Sequence, residues 1–299
     1  MSRPFGISVL LPCYNRDCSA QVEILCGQLG VLTADGVAGE LVVLEDGSKD
    51  ARLVQANEQA CQRFGARHVI AKENVGRAAA RNRLMDEARY AWLLLVDCDL
   101  YPASADFLNN YLRCICEEGK KKVVYGGLRN VKPAFSCLRY DYEQATAGRR
   151  TLEARCRQPY ASLSAANLCL YYKVMETVRF DERFRSYGYE DVMFGRQLRL
   201  HAIPIEHINN PVEICDFESN ATYIRKTEEA LRTLFRFQEE LHDDVRMLQV
   251  LEDVKRYVPV AVLRLFGRLS LPLLKRNLVS ENACCRFFNL YKLLYYAKL

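Results

Sequence analysis

Along the first hundred residues, short uninterrupted apolar runs alternate with longer segments whose apolar residues recur at helical spacing. The runs cover residues 7–11, 40–44, 68–71 and 92–96. Runs without polar alternation fit strands buried on both faces, as in a parallel sheet. Residues 19–29, 49–64 and 76–88 supply helices between them, and the order βαβαβαβ predicts a doubly wound α/β sheet. Beyond residue 121 the pattern is irregular. A strand-like stretch at 123–127 precedes an Arg-rich polar stretch at 129–157, a second strand-like run at 164–172, turns at 180–187 and a short helix at 189–200. Across residues 219–251, Ile224, Leu231, Leu234, Leu241, Val245 and Leu248 form one stripe, which predicts a single long amphipathic helix.

Ligand sites of doubly wound sheets lie beyond the carboxyl ends of the strands. The residues there are Cys13-Tyr14-Asn15, Glu45-Asp46-Gly47-Ser48, Asn74-Val75-Gly76-Arg77 and Asp97-Cys98-Asp99, so two acidic clusters share one rim. Asp97 and Asp99, one residue apart, suit a hard divalent cation bridging to a diphosphate, although an acid after a strand is also common. Asp46 and Ser48 can hydrogen-bond a base or ribose with Gly47 admitting a close backbone, or can form a plain turn. Asn74 and Gly76 are equally open. Arg77 and Arg81, one helical turn apart, face either the rim or the solvent. Glu190-Asp191 opens a helix, where carboxylates are favoured by the dipole alone. The preceding Tyr187-Gly188-Tyr189 suggests instead a backbone pressed against a ligand, beside rings that stack on sugars and a carboxylate able to deprotonate a hydroxyl.

Five segments, in this order, resemble family 2 glycosyltransferases of bacterial type with the GT-A fold. They are Ser8-Val9-Leu10-Leu11-Pro12-Cys13-Tyr14-Asn15, Glu45 to Asp50, Asn74-Val75-Gly76 with Ala80-Arg81-Asn82, Asp97-Cys98-Asp99, and Gly188-Tyr189-Glu190-Asp191. The resemblance implies a mostly parallel sheet flanked by helices and an inverting transfer from a nucleotide-sugar, commonly UDP-linked, to a hydroxyl of a glycan or lipid-linked saccharide. By that similarity Asp46 binds the base, Asp97 touches the ribose or sugar, and Asp99, with Asp97, holds Mn2+ or Mg2+. Asp191, with Glu190 as the alternative, is the base, and Asn167 faces the donor sugar. Pro12, Tyr14, Asn15, Ser48, Asn74, Arg77 and Arg81 complete the donor site. The domains implied are a catalytic domain at 1–218, divided into a nucleotide-binding half (1–120) and an acceptor half (121–218), and a helical C-terminal extension at 219–299. Relatives often carry a metal-binding histidine after an Asn-Pro-Val segment. Here Asn210-Pro211-Val212 leads to Glu213 and Asp216 instead, which leaves Asp216, Glu213, an upstream His207, or water and phosphate alone to complete the shell.

Composition changes this picture at one end of the chain. The 299 residues carry a net charge of +5, yet residues 255–299 hold nine basic side chains against one acid, Glu281. The tail is therefore +8 and the rest −3, which argues against a nucleic-acid binder and points to something the tail alone touches. Basic side chains among Leu, Phe and Tyr suit an anionic lipid surface, or else a packed subunit, and self-association stays open. Half of the residues are hydrophobic, which excludes general disorder. No apolar run approaches the ~20 residues of a membrane span and the first residues do not form a secretory signal, so the expected location is cytoplasmic, with the inner membrane face as the place the tail would touch. The thirteen cysteines include no CxxC pair and read as buried reduced thiols, among them Cys26, Cys114, Cys116 and Cys169. Two other readings stand beside the transferase: a nucleotidyltransferase, although the first strand lacks the usual Gly-rich loop, and a nucleotide-sugar binding partner without turnover.

Overall fold

The computed structural model describes residues 2–115 and 121–299; Met1 and Cys116 lie outside them. The elements β1 (Ile7–Cys13), α1 (Ser19–Ala34), β2 (Gly39–Glu45), α2 (Ala51–Phe64), β3 (Arg67–Ile70), α3 (Arg77–Glu87) and β4 (Trp92–Val96) follow the order that the hydrophobic pattern predicts. Successive residues of β1, β2 and β4 point to opposite faces and are buried on both. Leu10, Val42, Leu44, Leu93 and Leu95 enter one core cluster, and Val9, Leu11, Val43, Leu94 and Val96 enter the other. This two-sided burial explains why the runs lack alternation. β3 differs because it is an edge strand, and its Ile70 is exposed.

The chain continues through β5 (Leu100–Pro102), α4 (Phe107–Cys114), β6 (Val123–Tyr125), β7 (Leu128–Asn130), α5 (Leu138–Ala145), α6 (Leu152–Arg157), β8 (Asn167–Tyr171), α7 (Glu190–Leu200), β9 (Ile205–His207) and β10 (Val212–Ile214). It ends in α8 (Asn220–Arg236), α9 (Gln238–Leu241), α10 (Arg246–Tyr257), α11 (Val260–Leu278) and α12 (Cys285–Lys298). The main sheet runs β3-β2-β1-β4-β8-β6-β9, and a small second sheet runs β5-β10-β7. β1 pairs in parallel with both β2 and β4, while β8 is antiparallel to β4 and β6. The chain winds outward to β3 and returns to β4 on the other side of β1. The carboxyl ends of β1 and β4 therefore flank a topological switch point, where a crevice opens. The fold is mixed α/β, with a mostly parallel central sheet flanked by helices.

Two expectations need correction. The polar stretch at 129–157 contains α5 and α6, and Arg155 within it is buried, its guanidinium donating to the Tyr125 and Ile208 carbonyl oxygens at 3.2 and 3.1 Å. The single helix expected over 219–251 is three helices. Its stripe is buried as expected, but the backbone leaves the helix at Phe237, whose ring stacks on Phe184 at 3.9 Å between centroids. Arg183 lies over that ring and pairs with Glu240 at 2.8 Å. Periodicity records which face is apolar, and these contacts decide where the axis turns.

α11 and α12 pack on α8 and α5 through a third cluster that includes Leu138, Ile224, Leu271, Leu278, Phe288, Tyr291 and Leu294. Twelve cysteines are unpaired thiols among the described residues.

Gly47 sits at φ +67°, and a Cβ there would come within 2.3 Å of the Asn74 amide nitrogen. The conformation alone costs a side chain about 1–2 kcal/mol, and a backbone neighbour cannot rotate away. Gly47→Ala is expected to lower stability by more than about 2 kcal/mol in urea denaturation, and an unchanged midpoint would refute this.

Candidate active site

At the switch point lies a cavity of about 480 Å³ lined by Pro12, Tyr14, Asp46, Asn74, Arg77, Arg81, Asp97 and Asp99 among others. A second cavity of about 420 Å³ holds Ser164, Tyr189, Glu190 and Asp191. Both include Arg77, Asp97, Asp99, Tyr187 and Lys226, so the two chambers meet at the end of β4.

Arg81 organises this junction. α3 starts just after Gly76 and packs on β1 and β2, which turns positions 77 and 81 toward the crevice. The Arg81 guanidinium, 1% exposed, lies 2.9 Å from Asp97, 3.3 Å from Glu190 and 3.4 Å from Asp191. Arg77, half exposed, stands 3.7 Å from both Asp97 and Glu190 and covers the Tyr187 ring. Of the two orientations the sequence left open, both arginines take the rim.

The carboxyl groups separate electrostatically. Burial alone would push Asp97 up, but Arg81 and Arg77 hold it below its ordinary range. Asp99 makes no ion pair among the described residues, and burial together with the Asp97 charge raises it. Asp191 is pushed up to about 6 by burial, with Arg81 pulling it down and Glu190 and Asp97 adding to the rise. It also accepts a hydrogen bond from Ser164 Oγ at 3.1 Å. Glu190 is more enclosed and is clamped by both arginines, so Asp191 is the freer carboxylate. Asp46 is raised by burial, against amide hydrogen bonds from Val75 and Gly76 at 2.9 and 3.2 Å.

Several expected residues are placed elsewhere. Asn167 is fully buried and lines neither cavity. Its Nδ2 donates to the Gly127 and Asn210 carbonyl oxygens at 2.8 and 2.9 Å, and its Oδ1 accepts from Tyr111 at 2.7 Å. Ser164 and Ala166 line the cavity in its stead. Ser48 bonds Glu45 and accepts from the Asn15 amide, so the two brace the β1 and β2 loops. Asp216 forms an ion pair with Arg16, and both border a neighbouring depression with Asn15. Glu213 pairs with Arg129 at 2.7 Å, and His207 lies 3.0 Å from the Pro159 carbonyl oxygen. All three substitutes for the absent histidine thus have protein partners, and that of Asp216 is Arg16, which lines the first cavity together with Asp99. Gly188, at φ +101°, approaches Ala230 of α8. Gly47 likewise approaches the Glu73-Asn74 backbone.

The sequence reading did not include Arg185, Arg225, Lys226 and Glu229 on the first cavity, or Arg139 on the second. α8 supplies three of these and holds the turn before α7: the Tyr187 amide donates to Glu229 at 3.0 Å, and Thr233 Oγ donates to the Tyr187 carbonyl oxygen at 3.1 Å. Only the pattern of a polar helix face could have signalled them, and that pattern is shared by ordinary solvated helices.

No group of three or more His, Cys, Asp or Glu converges among the described residues, so the protein offers Asp99 and Asp97. Two carboxylates completed by phosphate and water are an adequate shell for Mg2+ or Mn2+, and the crowding of Asp99 against Asp97 is what such an ion relieves. The residues fit the group.

Residues 8–156 match the family model described as Glycosyl transferase family 2. A chondroitin synthase of Pasteurella multocida (strain Pm70) is 25% identical over 232 residues, spanning 66% of this chain and 23% of that protein. The chain therefore spans about a quarter of this curated relative. Among solved structures, a mannosyltransferase from Pyrobaculum calidifontis in complex with GDP-Man and Mn2+ superposes with a TM-score of 0.55 at 15% identity, covering 99% of this chain and 86% of that one. S. aureus TarS 1-349 in complex with UDP gives 0.52 at 17%, covering 98% and 89%. Glucosyl-3-phosphoglycerate synthase from Mycobacterium tuberculosis with Mn2+, UDP and glucosyl-3-phosphoglycerate gives 0.51 at 19%, covering 77% and 79%. At these identities the structures speak for the fold, and the matching segment speaks for the family: the chain belongs to glycosyl transferase family 2 and has the GT-A fold.

Proposed function

We propose that the chain transfers a sugar, with inversion, from a UDP-linked donor to a hydroxyl of a glycan or lipid-linked saccharide. The observation that carries this reading is Asp191: a carboxylate raised to about 6, in a chamber that meets the Asp97-Asp99 chamber and is pinned by Arg81. UDP in two of the neighbouring structures supports the base, against GDP-Man in the third. The first chamber takes the donor, with Asp46, Asn74, Pro12 and Tyr14 at its base end. The second takes the acceptor beside Tyr187 and Tyr189. Asp191 removes the acceptor hydroxyl proton, the oxygen attacks the anomeric carbon from the face opposite the diphosphate, and the bond to the diphosphate breaks with its electron pair leaving on phosphate. Asp99 and Asp97 would hold Mn2+ or Mg2+, which when bound supplies positive charge to the leaving group. Arg77, Arg185, Arg225 and Lys226 are the chain's own cations on that wall. The domain division at 218/219 belongs to this reading, with α8 serving both sides of it. A cytoplasmic location belongs to the same reading.

Asp191→Asn is expected to abolish turnover while leaving UDP affinity near normal by calorimetry; retained turnover would remove Asp191 as the base. Because the base works deprotonated, kcat/KM should rise with pH and level above about 6, with roughly ten-fold loss at pH 5. The folded-state value lies above the ordinary one, so ionising Asp191 costs stability as pH climbs through 6. Asp191→Asn should therefore also raise the melting temperature at pH 8, whereas a merely structural carboxylate would lower it.

Arg81→Met should cost about 3–5 kcal/mol in denaturant melts, since it strands buried carboxylates. In whatever folded fraction remains, the acid limb of the rate profile should move to higher pH. An unshifted limb would show that Arg81 does not set the Asp191 proton affinity.

Mn2+ with UDP should raise the melting temperature of the parent chain more than either alone, and Asp99→Asn should lose that synergy. Turnover and melting unchanged in excess chelator would count against the cation.

A further inference from the structure

α11 presents two faces. Leu263, Gly267, Leu271 and Leu278 are buried against the rest of the molecule. On the other side Val262, Leu265, Phe266, Leu269 and Leu273, spaced at i, i+3, i+4, i+7 and i+11, are 52% to 70% exposed. Exposed side chains of this size singly need no explanation, but five on one helical face form a contiguous apolar stripe. No helix among the described residues is by itself long and apolar enough to cross a membrane. α10 and α11 reach the length together only across a 112° bend, and Leu248 and Leu251 of α10 are committed to the core. The stripe therefore lies along a surface and does not run through a bilayer.

Charge identifies the occupant. α11 and α12 contain no acid, and Arg268 and Arg276 beside the stripe are exposed and make no ion pair among the described residues. Arg264 spends only its Nε, on the Ala297 carbonyl oxygen at 3.1 Å, and keeps its charge. A second copy of the chain would bring the same uncompensated cations to the contact. An anionic bilayer offers hydrocarbon to the stripe and phosphate to the cations.

We propose that the exposed face of α11 is a docking surface for anionic lipid, with the helix lying in the interface plane. This stands apart from the transferase reading, since none of these residues lines either chamber. Lys275 pairs with Glu228 of α8 at 2.6 Å, so the docked face is fixed to the helix that walls the cleft.

The test is flotation of the full chain with vesicles of phosphatidylglycerol and phosphatidylcholine, against phosphatidylcholine alone. The parent should bind the anionic vesicles only. Leu265→Ser/Leu269→Ser/Leu273→Ser should reduce binding at least ten-fold with an unchanged melting temperature. Each basic side chain near such a surface is worth roughly five-fold, so Arg268→Gln/Arg276→Gln should reduce it roughly 25-fold. The charge variant decides the matter if the serine variant does not fold. No binding by the parent, or equal binding by parent and charge variant, overturns the proposal. So does a dimer in sedimentation that the serine variant dissociates while vesicles are ignored, which would make the face a contact between copies.

Discussion

One buried guanidinium faces three carboxylates, and the rest of the site follows from that imbalance. Arg81 touches Asp97, Glu190 and Asp191 while almost wholly removed from water. Arg77 adds a second charge, half screened by solvent, so the cluster keeps an excess of negative charge in a setting where like charges repel strongly. The two arginines hold Asp97 ionised, while Asp191, pushed up first by burial and then by the Glu190 and Asp97 charges, keeps a raised proton affinity. The same contacts fix geometry. Asp97 ends a strand, Asp191 begins a helix nearly a hundred residues later, and Arg81 joins them from a helix packed on β1 and β2. Each partner rides on a rigid element, which is what lets a site keep its dimensions.

The charge of the cleft is not the charge of the body around it. The first 254 residues are net negative, and a rim of carboxylates is what the strand-end motifs alone suggest. Folding interleaves that rim with Arg16, Arg77, Arg185, Arg225 and Lys226, drawn from the β1 loop, α3, the turn before α7, and α8. Asp97 and Asp99 thus share one cavity with side chains of opposite sign, Arg77 standing 3.7 Å from Asp97. An anion entering there meets fixed cations beside a potential cation site, an arrangement that no sum over the chain could disclose.

What the sequence made legible was the part governed by period and by strand ends. The uninterrupted apolar runs placed β1, β2 and β4, and the acids after β4 line the crevice because a strand end is where a doubly wound sheet opens. Glycine was read as a constraint, without its protein neighbours being named. Gly47 and Gly188 do take positive φ and do admit a close neighbour, but the neighbours are the Glu73-Asn74 backbone and Ala230, because a missing Cβ reports tight space without naming the occupant. Asn167 shows a related limit. Its amide is consumed in joining Gly127, Asn210 and Tyr111, and spacing carries no information on which polar atoms are already satisfied. The break at Phe237 was invisible because the stripe it interrupts stays in phase across the turn.

Charge divides the chain near residue 255, but packing does not. α8 stands between the two parts. One side holds the turn that starts α7, through Glu229 and Thr233 on Tyr187 and through the contact of Ala230 with Gly188. The adjoining Glu228 accepts from Lys275 of α11 and from Tyr291 of α12. A single helix therefore carries, within six residues, contacts to the segment bearing Asp191 and contacts to the basic helices. Burial of Ile224 with Leu271, Leu278 and Phe288 adds an apolar join beneath these polar ones. Whatever the exposed face of α11 meets, its position is set relative to Asp191 by packed side chains and not by a flexible linker. The basic end of the chain is part of the frame that holds the site, and the charge boundary marks a change of surroundings and not a mechanical hinge.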